Sequence, residues 1–206
     1  MNTVSTAGPV TALPPNYHEV HYISINKPGV LIWLNVLSLI PLVIAGLLFF
    51  GALLVYHEEL GAPLVIDAIP SRVPSLLGLA LVLGVLPLHE WAHGLAISHY
   101  GHRPRYGFKW AVLFATSDGA LFRRREFVWI ALAPLISISV IGLVVMLFVP
   151  GTVASWIVFA MTLNAAGAIG DIWMTMVALR FDSAILIRDE EDSMRIFAPA
   201  SEPIIV

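Results

Sequence analysis

The sequence predicts an all-α membrane protein: four transmembrane helices, with a β-hairpin-like cytosolic loop between the second and the third. Three observations lead there. First, 58% of the 206 residues are hydrophobic and 12% are charged, against about 25% charged in an ordinary soluble domain. With a mean hydropathy of +0.86, a soluble chain of this length has too little interior to hide its apolar surface. Second, the apolar residues gather into runs at about 30–56, 74–98, 127–149 and 153–179, each long enough for the roughly 20 residues that cross a hydrocarbon core. Third, the polar connection 99–126 holds an aromatic and β-branched stretch, Tyr106 to Ala115, and then Thr116-Ser117-Asp118-Gly119. Asp-Gly is a hairpin signal.

Residues 1–29 are polar and hold Pro9, Pro14, Pro15 and Pro28. No basic segment precedes an early apolar core, so nothing there reads as a signal peptide. The expectation is a mobile cytosolic tail with His18 and His21 solvated, and Tyr22 to Ile25 forming a strand or lying at the interface. The first span, 30–56, is uncharged; Pro41 is placed to kink it, and Asn35 and Ser38 suit packing hydrogen bonds. A loop with Glu58, Glu59 and Asp67 leads to the second span, 74–98, in which Pro87 is expected to bend or open the helix. After the Asp-Gly turn, Ala120-Leu121-Phe122 reads as the return strand. The hairpin either offers an edge to an extended peptide or lies on lipid headgroups. The third span, 127–149, contains Pro134; Pro150-Gly151 turns into the fourth, 153–179, whose Ala165 to Ala168 stretch permits close helix packing. Residues 180–206 read as a cytosolic tail, with Asp189 to Asp192 as a solvated acidic run.

Four spans put both termini and the 99–126 loop on one side. Every Lys and Arg of the 11 except Arg72 falls there, and the positive-inside rule makes that side cytosolic. The expected location is a multi-pass protein of the cell membrane with both termini in the cytosol. A net charge of −3 and the lack of a basic-aromatic motif exclude a general nucleic-acid role. The absence of cysteine excludes disulfides, thiolate metal sites and a cysteine nucleophile.

Inside the second run stands His89-Glu90-Trp91-Ala92-His93. Histidines four apart on a helix are rotated by roughly 40°, so both rings leave one face. One zinc ion needs that spacing for two nitrogen ligands, and the glutamate between them serves as acid and base. Ionisable groups at membrane depth cost at least ~2.5–3.5 kcal/mol each on insertion scales, which favours a metal site over three idle polar side chains. Catalytic zinc usually takes a third protein ligand. His99 lies about 240° around and ~9 Å beyond His93 on a continuing helix, facing away. Asp171, the carboxylate of the fourth run, is the preferred third ligand, and Asp118 is the next candidate.

These residues carry a resemblance. His89-Glu90-x-x-His93 in a membrane helix, a basic hairpin-bearing loop, a proline-containing third span and then Asn164 and Asp171 resemble the site-2 protease clan of intramembrane zinc metalloproteases. From Leu88 through Asp171 the chain is closer to the small four-span membrane proteins called putative zincin peptidases. The resemblance implies a zinc-peptidase-like domain over 30–179. In it His89, His93 and Asp171 bind Zn2+, Glu90 takes the proton from the water that zinc activates, and Asn164 helps to place the substrate. The expected partners are the lipid bilayer and a membrane protein or peptide substrate cut within or beside it, with substrate identity and oligomeric state left open. The competing expectation is a non-catalytic metal-binding membrane scaffold or sensor.

Overall fold

The structure is a computed structural model; it describes residues 8–25, 27–60, 72–109, 112–190 and 193–200. In chain order the described elements are β1 (Tyr17–Ser24), α1 (Pro28–Leu37), α2 (Leu39–Leu60), α3 (Arg72–His99), β2 (Arg105–Lys109) and β3 (Val112–Thr116). Then come β4 (Phe122–Arg123), α4 (Arg124–Met146), α5 (Gly151–Gly167), α6 (Ile169–Ala178), β5 (Leu186–Glu190) and β6 (Ser193–Pro199). Contacts divide the chain into two units, one of Ile32–His89 with Pro134–Ile169, the other of Met1–Leu31, Glu90–Ala133 and Gly170–Val206.

The first unit is helical. Ala45, Phe49 and Leu53 lie at i, i+4 and i+8 on α2, forming one stripe that packs with Ile157, Met161 and Ala165 of α5. α5 also packs closely on α4 and α3, because glycines of those helices face it. A Cβ on Gly142 would run into Met161, and one on Gly78 into Trp156, as expected where helices associate through van der Waals contact. The opposite face of α2 is apolar and open, with Leu47 70% and Leu48 67% exposed. Such a surface suits lipid and not water. α1 and α2 meet at Ser38, where Pro41 has no N–H for the Leu37 carbonyl. The Ser38 N–H still donates to the Leu34 carbonyl at 2.8 Å, and its hydroxyl donates to the Asn35 carbonyl at 2.6 Å.

Among the described residues three helical segments are long and apolar enough to cross a membrane: Pro28–Glu59, Gly78–His99 and Arg124–Met146. The chain is a membrane protein by that measure. α3 runs through Pro87 as one helix. The fourth predicted span is not one helix: α5 and α6 are bent by 43° at Ala168, between Gly167 and Gly170, and they count as a crossing only if taken together. Asp171 therefore stands in the first turn of a new helix, where the exposed backbone N–H groups favour a negative charge. The loop expected from His57 to Arg72 lies mostly outside the described residues.

The second unit corrects the predicted fold class. The protein is not all-α, because it carries a four-stranded antiparallel sheet in the order β1-β6-β5-β4 and a separate two-stranded sheet of β2 and β3. β1 comes from the segment expected as an N-terminal tail, and β5 and β6 from the segment expected as a C-terminal tail. Ile23 stands opposite Met194 and Ile187 opposite Ile196. These side chains face Ile97 of α3, Phe127 and Ile130 of α4 and Val177 of α6 in a buried core. Leu186 and Phe197 point the other way, onto Leu121 with Val10 and Leu13. Each terminal segment alone is too short to bury a face; paired, they bury both.

β2 and β3 pair antiparallel, Tyr106 opposite Ala115; residues 110–111 between them lie outside the described residues. Asp118-Gly119 forms a turn as expected, Gly119 having a φ of 68°, but the return strand pairs elsewhere: Phe122 lies against Ile187 of β5. α4 then starts at Arg124, where the Glu126 carboxylate accepts the Arg123 N–H at 2.8 Å. That closes half of a capping box.

Candidate metal centre

His89 and His93 project from α3 one turn apart. Each ring has one nitrogen held by an oxygen. The Nδ1 of His93 is 2.9 Å from the Ile130 carbonyl, and the Nδ1 of His89 is 2.9 Å from Asn164 Oδ1. A carbonyl oxygen only accepts, so His93 carries its proton on Nδ1 and keeps the Nε2 lone pair. The Asn164 amide is oriented by its other end, whose nitrogen donates to the Pro134 carbonyl at 3.3 Å. Its oxygen is thus the atom that meets His89, which likewise carries its proton on Nδ1 and its lone pair on Nε2. This is the arrangement in which outer hydrogen bonds fix the tautomer and ring direction of metal-binding histidines.

The Ile130 carbonyl is available for a sequence reason. In a helix it would accept from the N–H four residues on, which is position 134, and Pro134 has none. His93, buried at 9% exposure, takes that place.

Asp171 Oδ1 lies 3.5 Å from His93 Nε2. Among the described residues, His89, His93 and Asp171 form the one group of acidic, histidine or cysteine side chains whose ligand atoms lie together, all within 4.8 Å of one another. The set fits zinc. Two imidazoles and a carboxylate are its usual catalytic donors, and tetrahedral ligands at ~2.0–2.2 Å from an ion stand ~3.3–3.6 Å apart. Glu90, partly buried, follows His89 on the same turn. The sequence alternatives lie outside the group: His99 is exposed, and exposed Asp118 pairs with Arg105 at 2.9 Å.

Asn164 is expected from the resemblance to help place a substrate; in the structure it is buried, and both ends of its amide are engaged with His89 and Pro134. Sequence reasoning missed two features. One is the pairing of Pro134 with the Ile130 carbonyl, whose signal was a proline in an apolar run. The other is Asp189, read as part of a solvated run. It follows Ile185 and Ile187 on the helix-facing side of β5 and stands opposite Met194 of the core. Burial and the nearby charges of Asp171, Glu90 and Glu190 push its carboxyl up to about 7, against the opposing effect of His93. The i, i+2 pattern Ile185-x-Ile187-x-Asp189 was its signal.

No curated protein and no solved structure matches the sequence. The profile of the family described as "Putative zincin peptidase" matches residues 82–186. That is just over half of the 206 residues, from within α3 to the first residue of β5, and it takes in His89, Glu90, His93, Asn164 and Asp171. On that match, and with zinc donors gathered on α3 and α6, the chain belongs to the putative zincin peptidase family, a metallopeptidase family.

Proposed function

We propose that the protein is a membrane-embedded zinc metallopeptidase that hydrolyses peptide bonds within or next to the bilayer. His89, His93 and Asp171 hold the zinc. The observation that carries this reading is the tethering of both histidines by Nδ1, to Ile130 and to Asn164, which leaves Nε2 of His93 towards Asp171. When bound, zinc supplies Lewis acidity towards a peptide carbonyl and towards water. Glu90 accepts a proton from the attacking water at its carboxylate and passes it to the nitrogen of the departing amine. Asn164 and the Ile130 carbonyl hold the rings still, so that the donors need no rearrangement during turnover. Lipid around the apolar helices restricts water.

Purified full-length protein should cleave casein, and Glu90→Gln should lower that rate by about 10²–10⁴-fold while zinc content stays unchanged. Zinc retained without any Glu90-dependent cleavage would instead make the protein a metal-binding scaffold.

A further inference from the structure

A cleft of about 370 Å³ is lined by the end of β3 and the turn after it, by residues of both faces of β5, by Ser193 of β6 and by Arg105. Its lining is mostly polar and carries three carboxylates, of Asp118, Asp189 and Glu190, and two guanidiniums, of Arg105 and Arg188. An apolar transmembrane segment would leave such groups without partners, at a cost; a polar stretch of peptide would not.

The charges in the cleft are unequally matched. Asp118 is answered by Arg105 at 2.9 Å and Glu190 by Arg195 at 3.1 Å. Arg188 stands on the other face of β5, its guanidinium over the Phe197 ring at 5.5 Å. Asp189 is different. No arginine or lysine stands against its carboxylate among the described residues, and its main chain is fixed by the Thr116 hydroxyl, which donates to the Asp189 carbonyl at 3.0 Å. It is also the one cleft residue on the helix-facing side of β5, the side on which Ile187 shares a core with Ile97 of α3 and Ile130 of α4. Asp189 therefore joins the cleft to the sheet face that packs on α3 and α4, where the Ile130 carbonyl holds His93, and it lies beyond the segment that matches the family.

We propose that Asp189 is a specificity-determining residue that receives a lysine or arginine side chain of the substrate close to the scissile bond, so that the protein selects the basic segment flanking a membrane span. The inference rests on the peptidase reading for the words "scissile bond"; the binding preference itself does not. A cation against Asp189 offsets the neighbouring carboxylates and favours its ionised form. Membrane proteins concentrate Lys and Arg within about 15–20 residues of their spans on the cytosolic side, so a polar cleft in which carboxylates outnumber guanidiniums by one meets that composition.

The test uses full-length Glu90→Gln protein in nanodiscs, so that peptides bind without being cut. The probes are two fluorescent nonapeptides of alanine and serine, one with a central lysine and one with a central glutamate, read by anisotropy. A charge-assisted contact predicts about tenfold tighter binding of the lysine peptide. Asp189→Asn should abolish that difference, Asp189→Glu should restore most of it, and Asp189→Lys should reverse it. Zinc content of about one per chain in each variant shows that the variants fold. Equal affinities, no binding of either peptide, or a lysine preference that survives Asp189→Asn would overturn the proposal. Casein cut sites mapped with the Glu90 protein separate the two ideas. Cleavage with no basic preference keeps the peptidase and removes the role of Asp189; a lysine preference in binding without any cleavage does the opposite.

Discussion

Pro134 shows how one side chain that makes no polar contact of its own can shape the centre. By lacking an N–H it frees the Ile130 carbonyl, and the His93 ring takes it. Pro134→Ala should restore the helix bond within α4 and compete with His93 for that oxygen. The helix should hold or gain stability, since proline costs about 3 kcal/mol in a helix interior, while zinc affinity falls by about 10–100-fold, the usual result of losing an outer partner. Asn164→Ala should do the same to His89. Competition titrations with a zinc-binding dye read both, and an unchanged affinity in Pro134→Ala would show that the carbonyl does not govern the histidine. At this scale the sequence was informative about placement: that His89, His93 and Asp171 come together was legible because helical periodicity fixes the first two and the cost of a carboxylate in an apolar run marks the third. The tethers were not legible, since they join residues of α3 to α4 and α5, far apart in the chain.

The elements divide along the same physical line. Long apolar runs announce themselves, and α2, α3 and α4 stand close to where hydropathy puts them. The break at Ala168 was not visible, because Gly167 and Gly170 permit a bend without demanding one, and small residues equally suit a straight packed helix. The sheet was missed for another reason. β1 and β6 are joined by pairing between the two ends of the chain, and a strand of eight residues or fewer has no stability until its partner arrives. The alternation of Met194, Ile196 and Ala198 against Arg195 and Phe197 was present in the sequence, but the acidic residues before it read as a solvated tail. Asp189 was lost with them. The hairpin signal at Asp118-Gly119 gave a real turn, with the wrong partner for the strand that follows, since a turn fixes where a chain reverses and not which edge it then joins.

For the whole molecule, the charge count leads us to propose that both chain ends and the sheet lie on the cytosolic side. The chain has no cysteine, so single cysteines report topology without background. His18→Cys, on the exposed side of β1, should resist an impermeant thiol reagent in intact cells, and Phe148→Cys, 81% exposed between α4 and α5, should be labelled; the reverse pattern would invert the orientation. The central claim is that α3 and α6 together hold a zinc ion, and the zinc content of purified Asp171→Ala beside His99→Ala tests it most directly. The account predicts about one zinc per chain in the wild type and in His99→Ala, with most of the metal lost from Asp171→Ala, because two imidazoles alone hold the ion poorly. A full complement of zinc in Asp171→Ala, or its loss from His99→Ala, would contradict the assignment.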